Sequence, residues 1–384
     1  MLVTICVRGK WHAFRLAEQL ARRAALRRIV TGYPRFKLRG LRVPPDMVVS
    51  LPTLALQEAL HRIPVVGWRM NPLLDYWNRV VFDRFASRYV GGSDLVVSWA
   101  GSALHTIKKA AKNGIPSVLE CGAVHTSIFR SIVAAEYAAL EIALPIECSY
   151  GLHPKAAEYE LAEYDLADAI AVPSEFVRQS FVGQGIPSEK IIKVPYGVDC
   201  SLFRPIAKPD RIFRVVYAGT ISVLKGIHYL LQAWNSLKPT ANMELALVGR
   251  IAPDMQAIVR RHPNVRLVGR VDQRQLYRAY SSGSVFVFPS LGDGWPLVLG
   301  EAMACGLPVV CTCSSGAAEL VRNGVEGYVI NPRDPHALAE RLTYLLEHDD
   351  HRREMGEAAG RRASTFSWDR YGEEIYHRYC ELAQ

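Results

Sequence analysis

The sequence predicts an α/β protein with two Rossmann-like, doubly wound domains that face a central cleft. Three observations support this fold class. Short apolar runs alternate with helical patterns along the 384 residues, which is typical of parallel sheets flanked by helices. An irregular segment with two prolines, at about residues 198–212, interrupts the alternation, which then starts again. Many apolar runs end in small residues, as expected where ligands bind at the carboxyl ends of strands.

The first half opens with the apolar run "LVTICV", a predicted helix from about His12 to Arg28, and a second strand in "RRIVTGY". The next apolar stretch, "LRVPPDMVVSLP", is expected to lie in a loop. The strand–helix pattern continues in "SDLVVSWAGS", "GIPSVLECG", "LADAIAVPSEFVRQSF" and "KIIKVPYGVD". These segments predict an N-terminal domain over residues 1–200.

The second half repeats the pattern, with a strand and glycine turn in "FRVVYAGT" and a helix in "GIHYLLQAW". Further strands are predicted in "MELALVGR", "VRLVGR", "SVFVFPS", "LPVVCTC" and "GYVI". We expect a C-terminal domain over residues 210–365. A terminal helix over residues 366–384, beginning at "FSWDRY", is expected to cross back to the first domain.

Composition excludes several classes of protein. The apolar runs are much shorter than the ~18 residues that a membrane span needs. The opening run is too short for the apolar core of a signal peptide, so a cytoplasmic protein is expected. The eight cysteines are scattered, without a Cys-x-x-Cys pair or a histidine cluster, and therefore predict reduced, packed thiols and not a zinc site.

Positive charge is concentrated at the N-terminus. Residues 1–45 hold eleven basic residues and one acid, Glu18, a formal charge of +10; the whole chain carries +9, so the remainder nets −1. The predicted first helix places Arg15, Gln19, Arg22, Arg23 and Arg27 on one face and Phe14, Ala17, Ala21 and Ala25 on the other. With Arg35, Lys37, Arg39 and Arg42 nearby, this pattern predicts peripheral docking on the anionic inner face of a membrane.

Other readings of the basic segment stay open. A basic helix face is also compatible with simple solvation or with an anionic soluble glycan. A nucleic-acid partner is not expected, because the segment lacks interleaved aromatic residues and any known binding module.

A glycine turn in "AGTISVLKG" is the first candidate for ligand binding. Gly219 and Thr220 follow a strand, and Lys225 comes just before the next helix. Free N–H groups at a helix N-terminus suit phosphate, and Lys225 adds a positive charge. A turn of this kind on its own also commonly caps a helix.

The stretch "LGDGWPLVLGE" is the second candidate. Gly294 permits close approach of the backbone to a ligand, and the amides of Trp295, Leu297 and Val298 could point into the cleft where a helix begins. No G-x-x-x-x-G-K-[ST], G-x-S-x-G or clean G-x-G-x-x-G motif is present.

Two acids belong to this stretch. Asp293 stands at the tip of the loop, where a carboxylate could bind hydroxyls. Glu301 lies about one helical turn after Pro296 and suits a bidentate grip on a ribose diol. The alternative role of Glu301 is a favourable interaction with the helix dipole.

Taken together, these segments resemble a known family. "PSLGDGWPLVLGEAMACGLPVV" resembles the signature of retaining glycosyltransferases of family 4, the glycosyl transferases group 1, which have the GT-B fold. That signature is an acid, seven residues and a glutamate, followed by A-M-A-x-G-x-P-V-V. "YAGTISVLKGIHYLLQAW", "DLADAIAVPSEFVRQSF", "VPYGVD" with "LFRP", and "FSWDRYGEEIYHRY" look like other family segments. The resemblance is close over about residues 155–384 and looser before them.

The resemblance implies roles for residues of the second domain. Glu301 would grip the ribose of the donor, and Asp293 would contact hydroxyls of the donor sugar. The amides of Leu297 and Val298 would bind the diphosphate. Lys225 would stabilise the leaving diphosphate.

In the first domain, His125 in "LECGAVHTS" resembles the family's cleft histidine, which lies beside the donor sugar. It would position the sugar and not act as a base, although a single histidine near a strand end is often purely structural. Gly9 and His12, in "VRGKWHAFRLA", fall in the first strand-to-helix loop, which lines the acceptor side.

The sequence departs from the family pattern at three places. The phosphate turn usually reads G-R-L, whereas this chain has Gly219, Thr220 and Ile221, so one of two expected cations is missing. Asp293 is one methylene shorter than the usual glutamate. "RGKWH" replaces the usual glycine pair of the first loop.

The implied function is a retaining, metal-independent transferase that moves a hexose from a UDP- or GDP-sugar to a hydroxyl of a glycan, expected to be lipid-linked. No cofactor is expected, and without a D-x-D pair the diphosphate must be balanced by amides and basic side chains and not by a metal. A nucleotide-sugar epimerase or a phosphorylase of the same fold, and a non-catalytic nucleotide-sugar-binding subunit, remain alternatives.

Overall fold

The computed structural model describes residues 1–38, 42–52, 72–145 and 153–384, and Arg39 of the basic segment lies outside these ranges. The first sheet has seven parallel strands in the order β3-β2-β1-β4-β5-β6-β7. They are β1 (Val3–Val7), β2 (Leu26–Thr31), β3 (Val48–Ser50), β4 (Leu95–Trp99), β5 (Ser117–Glu120), β6 (Ala169–Val172) and β7 (Ile191–Lys193).

The second sheet has six parallel strands in the order β10-β9-β8-β11-β12-β13. They are β8 (Phe213–Ala218), β9 (Met243–Val248), β10 (Val265–Gly269), β11 (Val285–Phe288), β12 (Val309–Thr312) and β13 (Gly327–Ile330). In both sheets the strand order reverses beside the first strand, as in doubly wound folds. The predicted fold class is therefore confirmed.

Helices connect the strands of both sheets. Those of the first half are α1 (Ala13–Arg22), α2 (Pro72–Ala86), α3 (Leu104–Lys112), α4 (Thr126–Ala139), α5 (Pro154–Leu166) and α6 (Glu175–Val182). Those of the second half are α7 (Ile227–Ser236), α8 (Gln256–Arg260), α9 (Leu276–Ser281), α10 (Leu297–Ala304), α11 (Ala317–Leu320), α12 (Pro335–Glu347), α13 (Asp349–Ser364) and α14 (Trp368–Leu382).

The central strands are buried along their whole length because both faces of each sheet are covered. Every residue of β1, β4 and β8 is buried. Sequences such as "LVVSW" and "FRVVYA" therefore read as nearly continuous apolar runs and not as alternating ones.

The structure corrects two predictions near the N-terminus. Helix α1 ends at Arg22 and not at Arg28, because Ala24 adopts a left-handed conformation (φ 52°) and the chain then pairs with β1. Arg27 and Arg28 consequently lie on β2 and not on the helix. The stretch expected to be a loop contains β3, which pairs with β2 and buries Val48.

The C-terminal helix α14 lies against α1 of the first half. The carboxylate of Asp369 accepts hydrogen bonds from Gln19 Nε2 at 2.9 Å and from Arg22 Nη1 at 2.7 Å. Gly372 allows this approach, because a Cβ there would stand 2.4 Å from Gln19 Oε1. The domain limits at residues 1–200, 210–365 and 366–384 stay predictions.

Helix α4 of the first half also contacts the second half. The carboxylate of Glu136, which is fully buried, accepts hydrogen bonds from His228 Nε2 at 2.8 Å, Tyr229 Oη at 2.8 Å and Arg333 Nε at 2.6 Å. Next to it, Tyr137 donates to Asp254 Oδ2 at 2.6 Å. These bonds tie the two halves together across one end of the cleft.

No helix within the described part of the chain is long and apolar enough to cross a membrane.

We expect Glu136→Ala to destabilise the protein by about 2 to 4 kcal/mol, because it leaves the buried His228 and the Arg333 guanidinium without their carboxylate. Burial alone would raise the pKa of Glu136, but hydrogen bonds from His228, Tyr229 and Arg333 outweigh burial and hold the pKa below its ordinary value. This stabilisation is therefore present above the ordinary pKa and is lost as the pH falls through the lowered one.

Urea unfolding at pH 7 measures the loss, with Glu357→Ala as a control. Glu357 forms an exposed pair with Arg361 at 3.8 Å, so the control should change the free energy of unfolding by less than about 0.5 kcal/mol. Equal unfolding free energies for the two variants would contradict the role of Glu136.

Candidate active site

The candidate site lies where the carboxyl ends of the two sheets meet. Gly122 follows β5, Ser174 follows β6 and Gly294 belongs to the loop after β11. Ser174 Oγ donates a hydrogen bond to the carbonyl oxygen of Gly294 at 2.8 Å. A Cβ on Gly294 would stand only 1.9 Å from the carbonyl oxygen of Gly122, so the loops touch through their backbones. The predicted close approach at Gly294 is thus to the opposite half of the protein.

The phosphate turn predicted in "AGTISVLKG" follows β8. Gly219 has a φ of 140°, a short 3-10 turn covers Val223–Lys225, and Gly226 (φ 67°) leads into α7. A Cβ on Gly226 would stand 1.9 Å from the carbonyl oxygen of Pro289. Only glycine fits there, and the turn is therefore held against the end of β11.

Lys225 and Asp293, two of the predicted site residues, form an ion pair between these loops. Both side chains are partly exposed, at 28% for Lys225 and 18% for Asp293. The ammonium group of Lys225 also lies 5.6 Å from the centroid of the Phe288 ring. The ion pair leaves this part of the cleft with little net charge.

Helix α10 begins at Leu297, after Pro296, as the sequence suggested. The amides of Leu297 and Val298 belong to its first turn, where backbone N–H groups lack partners within the helix. The ring of Trp295 is buried and packs at 5.6 Å from that of Phe366. The side chain of Trp295 is therefore structural, and only its backbone is left for a ligand.

Glu301 lies one turn into α10 and is only 7% exposed. Its carboxylate accepts hydrogen bonds from Tyr280 Oη at 3.0 Å and from Gln273 Nε2 at 3.4 Å. Burial raises the pKa of Glu301 to about 7, against the lowering effect of these two neutral donors. In the absence of a ligand, the Glu301 carboxyl therefore changes its charge near neutral pH.

The sequence did not reveal Tyr280 and Gln273 as partners of Glu301. Tyr280, in α9, lies 21 residues before Glu301, and Gln273, in the turn just before α9, lies 28 residues before it. Only the packing of α9 on α10 brings them to the acid, and no local pattern in the sequence marks that contact.

His125 caps the N-terminus of α4. Its Nδ1 accepts a hydrogen bond from the amide of Ser127 at 3.3 Å, which leaves the ring hydrogen on Nε2. The ring is buried between Tyr164 and Phe181, with centroid distances of 4.9 and 5.2 Å. Burial lowers the pKa of His125, although Asp165 opposes that effect. The side chain is therefore a neutral hydrogen-bond donor and a structural cap at once.

His12 lies in a buried cluster away from an open surface. Its ring stands 3.9 Å from that of Tyr196, and its Nε2 is 3.4 Å from Glu120 Oε2. Tyr379 of α14 donates to the other oxygen of Glu120 at 3.1 Å. His12 thus joins α1 to the C-terminal helix, which gives it a structural role, and its predicted role on the acceptor side stays a prediction.

Gly9 and Thr220 complete the predicted residues. Gly9 lies under the indole ring of Trp11, because a Cβ on Gly9 would stand 3.0 Å from that ring. Thr220 is exposed directly after Gly219. The structure thus groups Lys225, Asp293, the start of α10 and the loop of His125 at one place. His12 lies behind that loop, because its ring packs on Tyr196, whose hydroxyl approaches Gly122.

Within the described ranges, no group of three or more histidine, cysteine, aspartate or glutamate residues could hold a metal ion.

Solved structures share the architecture of this chain. HepE of Anabaena, in complex with UDP, aligns over 100% of both chains with a TM-score of 0.73 and 17% identity. Sucrose-phosphate synthase of Thermosynechococcus elongatus aligns over 99% of this chain and 98% of its own, with a TM-score of 0.71 and 19% identity. At such identities the likeness establishes the fold alone, and the fold is GT-B.

The family follows from the sequence comparison. Residues 212–348 match the family model described as Glycosyl transferases group 1. The resemblance noted in the sequence is thereby confirmed over these residues of the second half.

Relatives with assigned activities are also glycosyltransferases. D-inositol 3-phosphate glycosyltransferase of Xylanimonas cellulosilytica is 30% identical over 232 residues, which cover 52% of this chain and 53% of that protein. O-antigen chain mannosyltransferase B of Escherichia coli is 32% identical over 173 residues, 43% of this chain and 45% of that protein. The chain spans about half the length of the curated relatives it matches.

We expect Glu301→Gln to gain stability relative to the native protein as the pH rises. Because burial raises the pKa of Glu301 to about 7, ionisation is harder in the folded chain than in the unfolded one. The protonated carboxyl contributes to the free energy of unfolding. This contribution is fully present below the ordinary pKa of the group and is lost as the pH rises through about 7. Glutamine cannot ionise, so the difference in unfolding free energy should shift by about 2 to 3 kcal/mol between pH 5 and pH 8.

Urea unfolding of both ligand-free proteins at several pH values measures this shift. The exposed Glu357→Gln serves as the control and should follow the native protein throughout. Parallel curves for Glu301→Gln and the native protein between pH 5 and pH 8 would refute the expectation.

Proposed function

We propose that the chain is a retaining glycosyltransferase, which transfers a hexose from a UDP- or GDP-sugar to a hydroxyl of a glycan. One observation carries the proposal. The N-termini of α7 and α10 converge beside the Lys225–Asp293 ion pair, with the buried Glu301 one turn further along α10. Two helix N-termini and a lysine suit a diphosphate, and a carboxylate suits the diol of a ribose.

Each residue has a distinct task in this proposal. The amides at the start of α10 and the ammonium of Lys225 bind the diphosphate, and Glu301 accepts hydrogen bonds from the two ribose hydroxyls. Asp293, held by Lys225, binds a hydroxyl of the hexose. His125 donates from Nε2 to another hydroxyl, because its Nδ1 is already used by Ser127.

The proposed chemistry needs no nucleophile from the protein. The bond between C1 of the sugar and the diphosphate oxygen breaks, and its electron pair stays on the diphosphate. The acceptor oxygen bonds to C1 on the same face, and its proton passes to the leaving diphosphate. Positive charge at Lys225 and the helix N-termini stabilises the negative charge that develops on the diphosphate, so the proposal requires no metal and no other cofactor.

The relatives leave the choice of donor open, since one is described as a mannosyltransferase and HepE was solved with UDP. A test therefore includes sugars linked to UDP and to GDP. Interconversion of the donor sugar would indicate an epimerase, and transfer of the sugar to added inorganic phosphate would indicate a phosphorylase. Binding without turnover would indicate a nucleotide-sugar-binding subunit.

We expect acceptor-dependent release of UDP or GDP by the native protein, undiminished in excess EDTA. Lys225→Ala should lower kcat by about 10²-fold or more, because it removes a cation from the leaving group. Lys238→Ala, a change of the same type outside the site, should leave kcat unchanged. Turnover that stops on chelation and returns with Mn²⁺ would contradict metal independence.

We further propose that the first half docks on an anionic membrane from the cytoplasmic side and that the acceptor is lipid-linked. The structure changes which residues support this. Arg15 pairs with Asp199 at 2.8 Å, and Arg22 pairs with Asp369 at 2.7 Å, so the predicted basic face is largely neutralised. Val48 of the expected apolar loop is buried.

A different surface of the first half combines apolar and basic character. Trp11, in the loop after β1, is 57% exposed, and Phe36, in the loop after β2, is 64% exposed. Lys10 and Arg35, their neighbours in the chain, are exposed as well, whereas the exposed Arg42 pairs with Glu18 at 3.7 Å. Because β1 and β2 are neighbours, both loops leave the same edge of the sheet, where aromatic side chains and cations together suit a lipid interface.

We expect the double variant Trp11→Ser, Phe36→Ser to lose most of its sedimentation with vesicles that contain anionic lipid. Binding of the native protein should weaken at high salt, because the attraction of basic residues to the bilayer is screened. Leu267→Ser, which removes a similarly exposed apolar side chain from β10 in the other half, is the matched control. Equal, negligible pelleting of the native protein with neutral and anionic vesicles would refute membrane docking and leave the transferase proposal intact.

A further inference from the structure

The backbones after β8 and β9 continue side by side beyond the sheet. The amide of Gly219 donates to the carbonyl of Val248 at 2.9 Å, and the amide of Ile221 donates to the carbonyl of Arg250 at 2.9 Å. Ile221 is also paired in parallel with Ile251. The ladder therefore reaches past both strand ends into the cleft.

This pairing sets Thr220 and Arg250 opposite each other. Ala218 pairs with Val248 and Ile221 pairs with Ile251, so the register is the same on both sides of Thr220 and Arg250. Paired residues on neighbouring strands lie about 4.8 Å apart. Both residues are exposed.

Two glycines hold this arrangement. Gly219 and Gly249 have φ angles of 140° and 145°, which side chains rarely tolerate. A Cβ on Gly249 would stand 1.8 Å from the carbonyl oxygen of Gly219. The two strand ends are thus in direct backbone contact, which fixes the position of Arg250 beside the phosphate turn.

Arg250 is a second cation at this edge of the sheet. It forms no ion pair with any residue in the described ranges, whereas the charge of Lys225 is shared with Asp293. A sugar-linked diphosphate bears more than one negative charge, and one partly neutralised lysine leaves a deficit of positive charge at the proposed site.

We propose that Arg250 is a diphosphate-binding residue, which supplies from β9 the second cation that Thr220 does not supply from β8. The arginine side chain is longer than one strand spacing, so it is long enough to reach across Thr220 to the turn that ends in Lys225. Its guanidinium can bind two phosphate oxygens at once and stabilise the leaving diphosphate. This inference rests on the proposed function, because it concerns the same donor site.

Calorimetric titration with UDP, GDP, uridine and guanosine tests the assignment. For the diphosphate that the native protein binds, Arg250→Ala should weaken the affinity about 10- to 100-fold, as expected for the loss of a charged hydrogen bond. The affinity for the matching nucleoside should be unchanged. Moving the cation back, in the double variant Arg250→Ala, Thr220→Arg, should recover most of the loss.

Two further variants separate this role from a structural one. Arg261→Ala removes another exposed arginine of the same half, at the amino end of β10, and should leave all affinities unchanged. Arg250→Lys keeps the charge without the bidentate geometry and should fall between the native protein and Arg250→Ala.

The outcomes are distinct. Unchanged diphosphate affinity in Arg250→Ala, an equal loss for diphosphate and nucleoside, or no recovery in the double variant would overturn the inference while the proposed function stands. A native protein that binds neither UDP nor GDP would overturn the proposed function and the inference together.

Discussion

The architecture of the site depends on one steric constraint, the backbone contact between the two halves at Gly294. Side chains are excluded there, because a Cβ on Gly294 would meet Gly122 and a Cβ on Gly316 would stand 2.2 Å from the carbonyl oxygen of Gly294. Ser174 adds a hydrogen bond to the same carbonyl. The loop that carries Asp293 and leads into α10 is therefore positioned by the first half, although its sequence belongs to the second.

Charged and titratable groups line both sides of the cleft that the glycine contacts form. The second half offers two helix N-termini, the Lys225–Asp293 pair and a buried acid whose pKa lies near neutrality. Across the cleft, His125 presents a neutral ring, and Glu136 fastens α4 to α7 and to Arg333. Charge in this cleft is thus largely paired before any ligand binds, whereas Arg250 has no ion pair among the residues that the structure describes.

Local patterns predicted most strands because buried parallel strands are short, apolar and bounded by small residues. The patterns failed where a tertiary contact decided the outcome. The apolar run that contains Val48 resembled a loop segment, yet it pairs with β2. The sequence pattern predicted that α1 extends to Arg28, but the chain turns at Ala24, which has a left-handed conformation, and then pairs with β1 as a strand. The basic face of α1 looked free because its partners, Asp199 and Asp369, lie far away along the chain.

The fold class, the family resemblance and the residue types at the two glycine loops could be predicted from the sequence, because these depend on local spacing. The contacts between side chains could not, because they depend on how distant segments pack. Tyr280 and Gln273 reach Glu301 through the packing of α9 on α10, and His12 is enclosed by residues from three other segments. Thr220 and Arg250 are 30 residues apart and become neighbours only through strand register. Contacts of this kind depend on long-range pairing and packing, and no local periodicity of the sequence predicts them.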